Sequence, residues 1–233
     1  GNSILNIFKM LGGKRGQKIL TGFFDKLGEK MKRIVSIQDI SDIGKCSLTA
    51  ALPVISAMGV ECAVLPTAVL SAHSQFEGFT FRDLTDEMTA TAEHWKRLGL
   101  RFDAVYTGYL GSPRQVDVVR GFFDDFGKVA KIIVDPAMAD FGRLYSGFDA
   151  DFPREMARLC EGADIILPNI TEACLLLGAE YREEYDREYI RSLLRGLAQL
   201  GASVCAITGV SFEEDKLGVV SYDSVSGEYF SYF

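Results

Sequence analysis

Histidine is nearly missing from this chain of 233 residues: there are two, with one tryptophan and six prolines. No grouping of His, Cys and Asp has the spacing of zinc ligands, and so few histidines disfavour a hydrolase triad. The five cysteines (Cys46, Cys62, Cys160, Cys174 and Cys205) are odd in number and widely spaced, with no C-x-x-C pair. That pattern predicts a reduced, cytoplasmic chain rather than a disulfide framework. There is no apolar run of about eighteen residues, so no membrane span is expected. A basic face is lacking too. The formal net charge is −7 and the isoelectric point about 5.0, which argues against a nucleic-acid partner. The sequence has no G-x-x-x-x-G-K-[ST], no G-x-G-x-x-G after a strand and no G-x-S-x-G. These absences exclude a P-loop kinase, weaken a dinucleotide enzyme and disfavour a serine hydrolase of the nucleophile-elbow type.

What is present is glycine, 23 residues of it, and a soluble balance of 48% hydrophobic and 24% charged residues. Residues 1–30 differ from the rest. They carry Lys9, Lys14, Arg15, Lys18, Lys26 and Lys30 against Asp25 and Glu29, with Ile4, Phe8, Leu11, Leu20, Phe23, Phe24 and Leu27 at helical spacing. Such a segment reads either as a surface-seeking amphipathic helix or as an extension ahead of a start at Met31. The second is the expectation, with one domain over 31–233.

From Met31 onward short apolar runs alternate with amphipathic ones. Strands are predicted over 34–38, 61–67, 104–106, 131–134, 164–167 and 203–208. Helices are predicted over 47–58, 85–98, 115–126, 152–160, 171–177 and 186–200. This alternation predicts an α/β fold with a mostly parallel sheet covered on both faces. A closing hairpin is expected over 217–222 and 228–233. The chain ends at Phe233 inside an apparent strand, and a C-terminally truncated domain is the expectation.

In open α/β sheets ligands bind past the C-terminal ends of the strands, so those residues are the candidates. Asp39 follows the first strand, with Gly44 giving a tight turn before Ser47. His73, Ser74 and Gln75 follow the second strand, and Tyr109 lies in the glycine turn after the third. Asp135, fixed by Pro136 after the fourth, is placed to hold Mg²⁺ beside phosphates. A glycine-rich loop over 139–150 has the character of a lid, with Tyr145 near its middle. Asn169 and Glu172 follow the fifth strand; Asn169 and Thr171 could cap the next helix with Glu172 in its first turn, or Asn169 and Glu172 could face a metal-phosphate site. Thr208 follows the sixth.

The stretches IQDISDIGKCSLTAALPVISAMG, LPTAVLSAHSQF, FDAVYTGYLGS, VDPAMAD, ADIILPNITEACLL and AITG, taken in order, resemble the pyridoxal (vitamin B6) kinases of the ribokinase-like superfamily. The resemblance implies a three-layer α/β/α sandwich, a homodimer, and transfer of the γ-phosphoryl of MgATP to the 5′-hydroxymethyl group of a B6 vitamer. It implies that Asp39, His73, Ser74, Gln75, Tyr109 and Tyr145 receive the vitamer. Asp135, Asn169, Glu172 and Thr208 would serve ATP, with Asp135 and Glu172 at the metal. The family's catalytic Asp lies in a G-T-G-D-type segment that this sequence does not contain, so impaired activity is expected. Two alternatives stand beside this one. A hydroxymethylpyrimidine kinase usually carries G-S-D-S-G-G-G after strand one, where this chain has a single glycine, Gly44. A non-catalytic fragment or pseudokinase would bind a vitamer or a partner without turnover.

Overall fold

The computed structural model describes residues 32–233; the amphipathic pattern read over 1–30, and the expected domain start at Met31, lie outside them. The first strand, β1 (Arg33–Ser41), is the hub of the sheet. It pairs in parallel with β2 (Glu61–Leu70) on one side and β4 (Ala104–Thr107) on the other. Parallel pairing continues through β5 (Lys131–Val134) and β8 (Ile165–Ile166) to β9 (Val204–Glu213). Three antiparallel strands extend the two edges. β3 (Phe81–Asp83) lies on β2, while β10 (Lys216–Asp223) and β11 (Tyr229–Tyr232) follow β9. The order is β11-β10-β9-β8-β5-β4-β1-β2-β3, the mostly parallel α/β sheet expected. A separate two-stranded hairpin, β6 (Ala139–Asp140) with β7 (Arg143–Leu144), projects beyond β5.

The helices divide unequally between the two faces. Alternate residues of the strands, among them Val35, Ile37, Val105, Val134 and Ile166, enter a continuous core. That core is completed by α2 (Thr85–Arg97), α3 (Pro113–Phe126), α4 (Phe152–Cys160), α5 (Ile170–Leu177) and α6 (Arg187–Ala198). Helix α6 shows how the sequence directs this. Ile190, Leu193, Leu194 and Leu197 recur at the i, i+3, i+4, i+7 spacing of one helical face, and all four are buried. Asp186 starts the helix by accepting a hydrogen bond from Tyr189 N at 2.8 Å. Each of these buried aliphatic side chains contributes about 1.5–3 kcal/mol, so a charge at Leu194 would open the layer.

The opposite face carries α1 (Ser47–Ala57) against β1 and β2, and no other helix among the described residues. Leu48 is the one buried residue of α1; Val54 and Met58 are 61% and 75% exposed. On the same side of the sheet Ile34, Ile133, Ile165 and Leu167 are only half buried. The expectation of helices on both faces therefore holds with a strong asymmetry of five to one.

Candidate active site

The unequal layers leave a cleft of about 910 Å³ between α1, the sheet and the loops past the strand ends. Six sequence-predicted residues line it: Asp39, His73, Ser74, Tyr109, Asp135 and Tyr145. Asp39 sits near the C-terminal end of β1 and the others in the segments after β2, β4 and β5, and the parallel pairing of β2, β1, β4 and β5 brings all of them to one end of the sheet.

The first wall is built from β1. Asp39 is buried, and its Oδ2 accepts from Ser41 Oγ at 2.8 Å. Gly44 then takes φ +138°, a conformation that disfavours a side chain, and an added Cβ there would lie 2.7 Å from His73 Cβ. That close approach lets His73 N donate to Ile43 O at 2.7 Å and locks the two loops together. His73 Nδ1 accepts from Gln75 N at 3.2 Å, so the neutral ring carries its proton on Nε2. Gln75 itself is exposed and does not line the cleft.

The opposite wall is aromatic. Tyr109 follows β4, and Phe81 reaches the same space from the edge strand β3. The two rings flank Gly111: a Cβ built there would sit 3.5 Å from Phe81 Cζ and 3.7 Å from Tyr109 Cε1. Tyr109 also meets Phe148, ring centroids 5.6 Å apart, and Phe148 stacks on Phe152 at 3.9 Å. Burial, together with the charges of Asp39 and Asp83, pushes the Tyr109 phenol up to about 12. Phe79 and Phe81 escaped sequence reasoning because β3 is a three-residue exposed edge strand with no alternating pattern of its own. Cys46 and Ser47, which also line the cleft, were passed over as ordinary residues of a helix start.

The acidic end of the cleft centres on Asp135. Tyr106, on β4, donates to its Oδ2 at 3.5 Å. Burial raises the Asp135 carboxyl well above its ordinary range, and the hydrogen bond from Tyr106 partly offsets this. Burial also raises Glu172, with the charge of Asp135 adding to it; backbone N–H groups of Asn169, Met138 and Ala139 pull the other way. Tyr145 lines the cleft with Asp135, and burial, then Glu172, Asp140 and Asp135, raise its phenol.

Asn169, Glu172 and Thr208 do not line the cleft. Asn169 and Glu172 cap α5 reciprocally. Glu172 Oε1 reaches Met138 N at 3.1 Å and Ala139 N at 3.4 Å, and Asn169 Nδ2 donates to Ala139 O at 2.7 Å. Both residues thereby brace the segment after Asp135. Thr208 bridges to Asn169 on the neighbouring strand end, with Thr208 N donating to Pro168 O at 2.9 Å. The segment read as a long lid is partly ordered backbone. Phe141 (φ 48°) and Gly142 (φ 75°) form the two-residue turn joining β6 and β7, and Tyr145 N donates to Met138 O at 2.9 Å.

A divalent cation fits this chemistry in part. No Lys or Arg lines the cleft, while Asp39 and Asp135 do. Asp135 lines the cleft, and Glu172, held by three N–H groups, is a second carboxyl close enough to be raised by the charge of Asp135. No cluster of three or more His, Cys, Asp or Glu side chains suited to a metal occurs among the described residues. The donor set therefore matches a hard ion that keeps most of its water, as Mg²⁺ does.

Comparison with known proteins agrees with this architecture. A model of the phosphomethylpyrimidine kinase family matches residues 46–230. The thiamine biosynthetic bifunctional enzyme TH1 of Arabidopsis thaliana is 30% identical over 195 residues; the match takes in 83% of this chain but 36% of the plant protein. A Bacteroides thetaiotaomicron protein described as a candidate phosphomethylpyrimidine kinase, solved in a form with pyridoxal, superposes with a TM-score of 0.82. It shares 42% identity over 87% of this chain and 72% of its own. Pyridoxal kinase of Lactobacillus plantarum superposes with a TM-score of 0.77 at 34% identity, over 87% and 72% of the two chains. By sequence and fold, this chain belongs to the phosphomethylpyrimidine kinase family, within the ribokinase-like superfamily of small-molecule kinases.

Proposed function

We propose that the cleft receives a B6 vitamer and that the chain serves ATP-dependent phosphorylation of the vitamer's 5′-hydroxymethyl group. One observation carries the reading: an aromatic wall of Phe81 and Tyr109 faces a polar edge of Asp39, His73 and Ser74, a few side chains from the acidic centre at Asp135. That is the arrangement a flat, substituted heteroaromatic ring needs. The relative from B. thetaiotaomicron, solved with pyridoxal, supports it.

In this reading the aromatic rings hold the pyridine plane, and the His73 Nε2 proton and the Ser74 hydroxyl meet its ring substituents. Asp39, already accepting from Ser41, has lone pairs left for a donor on the ligand. Asp135 and Glu172 would hold Mg²⁺ through water, and the ion, when bound, neutralises phosphate charge that no Lys or Arg of the cleft can meet. Tyr145 and Phe148 cover the acidic centre and keep water from it. Asn169, past the end of β8, and Thr208, inside β9, are bridged side by side and are assigned to the nucleotide side. These residues bind and orient; acceptance of the hydroxyl proton is outside their role.

A second reading, a hydroxymethylpyrimidine kinase, is favoured by the family description and by Asp39, whose buried carboxylate would suit an exocyclic amine. Calorimetric titration of the chain with pyridoxal, pyridoxine and hydroxymethylpyrimidine separates the two, with ADP release measured on the same sample. Tighter binding of the B6 vitamers is expected. Tighter binding of the pyrimidine would replace the first reading with the second, and no binding of either would overturn both.

A further inference from the structure

Gln115 belongs to no part of the cleft surface, yet it holds together the elements that form its aromatic wall. It is the third residue of α3, fully buried at 0% exposure. Its Oε1 accepts from Gly111 N at 2.7 Å. Its Nε2 lies 2.9 Å from Thr67 O, 3.0 Å from Asp83 Oδ2 and 3.0 Å from Thr85 Oγ1. The two amide protons are thus shared among three acceptors on β2, β3 and α2. A fifth bond closes the network: Thr67 Oγ1 donates to Tyr109 O at 2.9 Å.

The position is unusual for a helix N-terminus. In the common capping box, the side chain of the third helical residue turns back to the N-cap N–H. Here Ser112 is the N-cap and accepts from Gln115 N, but the Gln115 side chain reaches one residue further, to Gly111. Gly111 is the residue between the Phe81 and Tyr109 rings. The same amide that grips the Tyr109 loop through its oxygen grips the strand of Phe81 through its nitrogen, because Asp83 is the last residue of β3. No other side chain in the network is an acceptor toward one wall and a donor toward the other.

We infer that Gln115 is a positioning residue that sets the separation of Phe81 and Tyr109, and so the affinity for a flat aromatic ligand. The inference rests on the proposed use of the cleft. Gln115 touches no ligand itself. It acts because a buried amide with all its hydrogen bonds made resists displacement, and a partner left unmet there has no water to replace it.

Two variants test this. Gln115→Met keeps the side-chain volume and removes all four bonds. Gln115→Glu keeps an acceptor for Gly111 N and removes the donors. Each is made alone and with Tyr109→Ala, and pyridoxal affinity is measured by calorimetry after circular dichroism confirms folding. Gln115→Met is expected to weaken pyridoxal binding about tenfold in the otherwise native chain, and less than about twofold once Tyr109 is alanine. Equal weakening in both backgrounds would make Gln115 a general structural residue and overturn the inference; so would no weakening while the native chain binds. Amide hydrogen exchange gives a ligand-free reading. Gly111 N–H should lose protection in Gln115→Met and keep it in Gln115→Glu, and unchanged protection in both sinks the inference even if pyridoxal binds. Failure of the native chain to bind pyridoxal, with the exchange pattern as expected, would overturn the ligand class and with it the affinity claim, while leaving the Gln115 tether itself established.

Discussion

Asn169 and Glu172 exchange hydrogen bonds across the first turn of α5: Asn169 Oδ1 accepts from Glu172 N at 2.9 Å, and Glu172 Oε2 accepts from Asn169 N at 2.8 Å. The charge of Asp135 in turn helps to raise the same Glu172 carboxyl. A capping box has here been built beside an acidic centre, so the structural and functional readings of this pair describe one object. Glu172→Ala removes the acceptor of three backbone N–H groups. It should lower stability by about 2–4 kcal/mol, while Asn169→Ala should cost about 1–2 kcal/mol. Urea unfolding followed by circular dichroism measures both, and equal small losses would mean that water replaces Glu172 without penalty.

The raised carboxyls of Asp135 and Glu172 give a pH dependence of definite sign. Both hold their protons more tightly in the folded chain than in the unfolded one. Their contribution to stability is full at acid pH, below about 4, and is lost as pH rises through their elevated titration range. In a chelating buffer the urea midpoint should therefore fall between about pH 5 and pH 8.5, by an amount that Asp135→Asn reduces. Millimolar Mg²⁺ should restore stability at the alkaline end if the pair faces the ion. A midpoint that rises over this interval, in parallel in the native chain and in Asp135→Asn, would contradict the assignment.

Gly44→Ala places a Cβ against His73 at a backbone angle of +138°. Strain and overpacking together should cost about 1–3 kcal/mol. Because the clash falls on His73, vitamer affinity should drop about tenfold in molecules that remain folded. Gly59→Ala is the control. It also has a positive φ but meets nothing within 4 Å, so it should lose stability without losing affinity.

Tyr109→Ala and Tyr109→Phe separate the ring from its hydroxyl. The alanine variant removes one aromatic wall and should weaken pyridoxal binding about tenfold or more; the phenylalanine variant should stay within about threefold of the native chain. The phenol is held at about 12, so affinity should show no step from Tyr109 as far as about pH 9. A phenylalanine variant as weak as the alanine one would assign the hydroxyl, not the ring, the main part.

The parallel strands were legible because buried strands are nearly continuous apolar runs. The stretches around Ile34, Val105, Ile132 and Cys205 carry that signal without help from neighbours. The edges were not. β3 holds Phe81, Arg82 and Asp83, all exposed, and exists because Val69 and its neighbours offer a free strand edge. β9 runs on to Glu213, past the end expected at Thr208, and the turn to β10 at Glu214–Asp215 was not legible because Asp215 adopts φ 64° where glycine would have been the clearer signal. The β6–β7 hairpin consists of two-residue strands, too short for any alternation to show.

Among the site residues, those one or two positions past a core strand could be chosen from sequence, since strand ends converge in a parallel sheet. Tyr109 and Asp135 were found that way, and Asp39 was found although β1 runs two residues beyond it. Gln115 was not, because its importance lies in partners 30 to 48 residues distant in the chain.

By itself the sequence determined which segments are buried, in what order they alternate, and hence that ligand-facing groups gather at one end of the sheet; local periodicity and strand polarity suffice for that. Only the tertiary structure decided that, among the described residues, one face of the sheet carries a single helix, that Glu172 braces the segment after Asp135 instead of lining the cleft, and that Phe81 meets Tyr109 across Gly111. Those outcomes depend on register and packing between segments far apart in the chain, where no local pattern records the partner.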